Sequence, residues 1–225
     1  MSSTRRPHQG PTVPQPSIQR RFGLADEMWE KLAPLLAEDG ITDDGPPVPL
    51  SDLEAALNRA VERYNMEQFT AVGEERKAAA EVLRKAVLAT AANHPAVLRG
   101  LLSAVEPEVS ERSPATVAGC TGMALGLLDE WLTERDPLVP KGMAVRAPRI
   151  VPARWARWPG AQPAGDALPL ARKGRALSSV MTLIKRHQGG FNVFNGSVLA
   201  LAVTCEFWAA YADEDLDALT ARVIR

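Results

Sequence analysis

A chain of 225 residues is long enough for one domain with a sizeable core or for two small ones. Its 46% hydrophobic and 24% charged residues are proportions of a soluble globular protein, and a formal net charge of -1 singles out no class of partner. The only cysteines, Cys120 and Cys205, sit in apolar runs; they fit a reducing cytoplasm and read as small buried hydrophobes rather than as a disulfide.

Residues 1–21, "MSSTRRPHQGPTVPQPSIQRR", have basic residues with no apolar stretch behind them, which excludes a secretory signal. Rich in Pro, Ser and Gln, they read as a disordered basic tail. From residue 22 to 225 a single helical domain is expected. Its first helix, "LADEMWEKLAPLLAEDG", spaces Leu24, Met28, Leu32, Leu35 and Leu36 on one face, with Gly40 as a stop and a kink or restart at Pro34. Through Leu24, Trp29, Leu32, Pro34, Leu35 and Leu36 it resembles the short opening motif of some insertion-sequence transposases. The tryptophan–leucine–leucine helix closed by glycine also resembles the start of some phage small-terminase proteins. The likeness covers 13 residues. Nothing downstream supplies a transposase's spaced acidic triad, so no functional residue is carried over.

Ser51 and Glu54 have capping-box spacing, and Leu53, Leu57, Ala60, Val61 and Tyr64 then share a helical face. Gly73 should divide this stretch into two helices, the second burying Val82, Leu83, Ala86 and Val87. Pro95 opens a short helix with Val97, Leu98, Leu101, Leu102 and Val105 as its apolar stripe. Ser113 and Pro114 read as the cap and first residue of the next, which carries no charge through Leu128 and should be buried on most sides.

Seven prolines fall between residues 135 and 170, a density that predicts an extended, irregular Pro/Arg/Trp-rich segment over 135–176. Helical pattern returns at "ALSSVMTLIKRHQ". The stretch "FNVFNGSVLALAVTCEFWAAYA" is nearly long and apolar enough to span a membrane. Asn192, Asn195, Gly196 and Glu206 favour instead a central helix packed on Gly119, Gly122 and Gly126, whose small surfaces would face Ser197, Ala200, Ala202 and Ala209. The acids of "DEDLD", Asp213 to Asp217, read as a helix start answering the macrodipole. No repeat and no strand-type alternation are present, so the expected class is all-α and bundle-like.

The small net charge hides a separation. Residues 23–134 carry 9 basic and 20 acidic side chains, whereas residues 135–188 carry 11 basic and 2 acidic. This asymmetry predicts an anion-contacting segment. Arg146, Arg149, Arg154, Arg157, Arg172, Lys173 and Arg175 would supply charge, and Trp155 and Trp158 would stack or anchor. The partner would be nucleic acid or an acidic protein surface; the competing role is an internal brace against the protein's own acidic helices. No metal-ligand spacing and no cofactor motif appear, and no acid–base–nucleophile set is visible. The expected function is non-catalytic binding or assembly in the cytoplasm, with homo-oligomerisation left open. The alternative is an enzyme whose site assembles in three dimensions around His187, with Asp213 or Glu206.

Overall fold

The computed structural model describes residues 17–46, 48–103, 105 and 114–225. Among them the protein is all helical, with eleven α-helices, one 3-10 turn and no strand. Contacts group the chain into two compact units that divide between Tyr64 and Asn65, where sequence patterning suggested one domain.

The first unit holds α1 (Ile18–Phe22), α2 (Asp26–Glu38) and most of α3 (Leu50–Gln68). Residues 1–16 lie outside the described residues. The expectation of a disordered tail reaching residue 21 is corrected at its end: Ser17 caps α1 by accepting from the Arg20 amide, and Gly23, at φ 62°, closes it. Helix α2 runs unbroken through Pro34. Leu32, Leu35 and Leu36 form one core with Ile18, Leu53, Ala56 and Ala60. Ser51 lies inside α3 and bonds Asp52, so the Ser51–Glu54 box does not form. Asp39 binds Arg59 and Arg63 at 3.1 and 3.0 Å, which holds its carboxyl below the ordinary carboxylate range.

In the second unit α4 (Gly73–Ala91) follows α3 at the predicted glycine, whose φ is 54°. Then come α5 (Pro95–Ser103), α6 (Val117–Leu132), α7 (Met143–Arg146), a 3-10 turn (Ala153–Trp155), α8 (Ala161–Ala171), α9 (Val180–Arg186), α10 (Gly190–Ala212) and α11 (Leu216–Val223). Helix α10 packs against α8, α6, α4, α11 and α9. By length and composition it could cross a membrane, yet 83% of its apolar window is buried inside the fold. The cap of α6 is Thr116, which accepts from the Gly119 amide, so Pro114 precedes the helix; Ser113 is outside the described residues. Val97 is exposed rather than part of the stripe around buried Leu98.

The close-packing glycines work elsewhere than expected. A Cβ on Gly122 would lie 1.7 Å from the Phe69 carbonyl oxygen, so this glycine admits the α3–α4 connector, not α10. The tight approach to α10 comes from α8: a Cβ on Gly196 would meet the Pro163 Cβ at 2.4 Å, and one on Gly160 the Asn195 carbonyl at 2.5 Å.

Over Ala161–Ala171, helix α8 corrects the reading of 135–176 as extended. Pro163 is its third residue, where an amide has no intrahelical acceptor to lose. Pro169 is internal but exposed, and the carbonyl it leaves without a donor belongs to Gly165.

Candidate anion-binding site

The stretch "VPARWARWPG" folds as consecutive turns between Pro152 and α8. The Trp155 amide bonds the Pro152 carbonyl at 2.9 Å, the Trp158 amide the Trp155 carbonyl at 2.9 Å, and the Ala161 amide the Trp158 carbonyl at 2.9 Å. These turns carry Trp155 into the core, where it is 4% exposed. Trp158 is half-buried and meets it edge to face at 5.8 Å between ring centres. Arg154 forms an ion pair with Glu206 of α10. Trp155 and Arg154 are thus both engaged within the fold. Arg157 is exposed and, among the described residues, joins no ion pair.

The remaining cations divide. Arg146 stands over the Tyr211 ring at 5.7 Å, and Arg175 is exposed on the turn after α8. Arg149, Arg172 and Lys173 come together at a pocket of about 590 Å³, formed where α6 and α8 end beside α7. Leu132 and Val145 give it apolar walls, and Glu134 is the one acid lining it. Glu134 is already engaged, since its Oε1 accepts from the Gly142 amide at 2.9 Å.

Arg172 organises this site. Its guanidinium donates to the carbonyls of Ala144 at 2.6 Å, Ala147 at 2.5 Å and Pro148 at 3.3 Å. Arginine suits this work because its planar fork can satisfy several acceptors at once. Burial first, then the nearby Arg149 cation, pull its pKa below the ordinary arginine value. The mutual repulsion of those cations is what an anion would relieve.

No protein-family model, curated protein or solved structure matches this chain.

The turn that follows Lys173 is held by Asp129. This α6 carboxylate is buried and accepts from the amides of Ala176 at 2.8 Å and Leu177 at 3.0 Å, anchoring the turn after Lys173 and Arg175. Desolvation raises its pKa although both hydrogen bonds lower it. Sequence reading missed Glu134, Val145 and Asp129; the one signal for the last was an acid at the end of a long uncharged run, and Glu130 beside it carries the same signal.

His187 caps the end of α9, and its partner is neither Asp213 nor Glu206. Its Nε2 lies 2.9 Å from Asp166 Oδ2, which Arg186 also contacts at 3.2 Å. The ring is 10% exposed, and among the described residues no hydroxyl or thiol is hydrogen-bonded to it. Asp213 terminates α10, Asp215 caps α11 by accepting from the Ala218 amide, and Glu214 pairs with Arg222 at 2.6 Å. Among the described residues no group of three His, Cys, Asp or Glu side chains is placed to hold a metal.

Proposed function

We propose that this chain is a non-catalytic, bundle-like helical binding protein of the cytoplasm whose basic pocket docks on an acidic protein surface. The observation that carries the reading is the convergence of Arg149, Arg172 and Lys173 on one pocket in which the single acid is internally bonded. The surroundings favour a protein partner over a nucleic acid. Val145 and Ile150, beside these cations in the chain, are 69% and 75% exposed. Apolar side chains set among arginines are the composition of a protein–protein interface. Stacking on bases needs a free aromatic face, and no aromatic side chain lines the basic pocket. The free state of Cys120 and Cys205 agrees with a reducing compartment.

The test is binding of the full chain to a peptide of alternating Glu and Leu, and to a DNA duplex, at low and high salt. The peptide should bind with a salt-sensitive affinity that Arg149→Glu/Lys173→Glu abolishes and Arg157→Ala leaves intact. Tighter binding of the duplex, with the same dependence on Arg149 and Lys173, would replace the protein partner by a nucleic acid. Binding of neither, or binding indifferent to the double variant, refutes the reading. Both exchanged side chains are exposed, so the variant should keep the wild-type circular dichroism.

A further inference from the structure

The second unit contains another cavity, of about 500 Å³, within the size range of small-molecule sites. Its lining joins α5, the Arg–Trp turn and the first turns of α10. Arg99 and Arg157 bring two positive charges to it, and Trp158 and Phe191 bring aromatic surface. Among the described residues neither arginine has a carboxylate within ion-pair distance; Arg99 donates only to the Pro95 carbonyl of its own helix, at 3.3 Å. This distinguishes them from Arg154, whose charge is spent on Glu206.

The aromatic wall is dry in character. The Trp158 indole nitrogen is sealed from solvent and has no acceptor among the described residues. What Trp158 offers the cavity is therefore carbon surface. Phe191 packs against Phe194 of the core at 6.0 Å, so its ring is held in place. Asn192 and Asn195 complete the lining and are oriented by their own bonds. Asn192 Nδ2 donates to the His187 carbonyl and Asn195 Nδ2 to the Phe191 carbonyl, both at 2.9 Å. Each of these amides keeps a second hydrogen to donate.

Unpaired guanidinium groups beside fixed aromatic carbon and amide donors define a complementary ligand. We propose that this cavity binds a small organic anion with a flat apolar body, an aromatic carboxylate being the simplest case. The carboxylate would be taken by Arg157 and Arg99, and the ring would lie against Trp158 and Phe191. The inference is independent of the basic pocket, which shares no lining residue with this cavity.

Naphthalene-2-carboxylate is the probe and its neutral carboxamide the control, titrated calorimetrically into the full chain. The carboxylate should bind at one site, about tenfold or more tighter than the carboxamide, since it alone forms charge-assisted bonds. Arg157→Gln should remove that margin, whereas Lys173→Gln, at the other pocket, should leave it unchanged. Arg157 is exposed and, among the described residues, outside any ion pair, so its exchange should leave the fold intact. Equal affinity for both probes, insensitivity to Arg157→Gln, or loss on Lys173→Gln each overturns the proposal. So does the absence of saturable binding, or displacement by an equal concentration of inorganic phosphate, which would make the aromatic wall irrelevant.

Discussion

The α8–α10 contact can be probed at a single hydrogen atom. Replacing Gly196 by alanine puts a methyl carbon 2.4 Å from Pro163 Cβ, 2.8 Å from the Ala164 amide nitrogen and 3.0 Å from the Pro163 carbonyl carbon. Comfortable carbon–carbon contact begins at about 3.5 Å, so the helices must separate by about 1 Å along this line. Two of the three obstacles are backbone, which no rotamer change can remove. Overpacking of this kind costs about 1–3 kcal/mol, and the backbone clash places Gly196→Ala near the upper end. The helix propensity of alanine returns about 1 kcal/mol, leaving a net loss of about 2 kcal/mol. For a chain of this size that lowers Tm by roughly 4–8 °C. Gly165→Ala is the matched control within α8, because a Cβ there meets nothing within 4 Å. It should gain about 1 kcal/mol, raising Tm by roughly 2–4 °C. Tryptophan fluorescence is the assay of choice, since Trp131, Trp155, Trp158 and Trp208 all belong to the second unit. A Gly196→Ala protein melting at or above the wild-type temperature would refute the packing argument.

Three further outcomes follow from individual groups. The folded protein holds the Asp129 proton more tightly than the unfolded chain does, so ionising this group costs stability as pH rises above its ordinary value of 3.8; Asp129→Asn should flatten that part of the stability–pH curve, and an unchanged slope counts against the burial argument. Desolvation pushes the Cys120 thiol up to about 12 and raises Cys205 as well, with the Glu75 and Glu206 charges adding to the respective shifts. Both should resist a thiol-specific reagent until the protein unfolds, and rapid labelling of the native chain would contradict this. Asp213 ends α10 at φ 53°, a left-handed conformation that glycine adopts without strain; Asp213→Gly should stabilise by about 0.5–1 kcal/mol, and a clear loss in thermal unfolding would reveal a role for the carboxylate.

What sequence pattern conveyed and what it did not have separate physical causes. The uncharged runs of α6 and α10 identified the core because burial of charge is costly wherever the partner lies. The glycine stop at Gly73 and the Pro95 start were legible because each acts through its own backbone. Proline density misled over α8, since the effect of proline depends on position: Pro163 occupies a first turn, where no hydrogen bond is lost. Gly122 advertised a close neighbour without naming it, and the neighbour was the Phe69 carbonyl. At the basic pocket the residue types were legible and the constellation was not. Arg149 and Arg172 are separated by the whole of α8, and nothing local to either shows that the chain returns. Trp155 and Arg157 differ by two positions in one motif, yet the turn sends one into the core and the other to solvent.

The clasp of Arg172 on three carbonyls has a consequence for rates as well as for geometry. The segment leaving α7, on which Arg149 and Ile150 ride, is tied to the end of α8 through one side chain. Its conformational entropy is thus surrendered during folding, before any partner arrives. Were the proposed acidic partner to dock at that edge, it would meet a surface already set, and association would be limited by diffusion and orientation rather than by loop ordering. Lysine at position 172 would keep the charge and lose the fork. The loop would then sample many arrangements, and the change would surface as slower capture and faster amide exchange around residues 147–150 while overall stability shifted little.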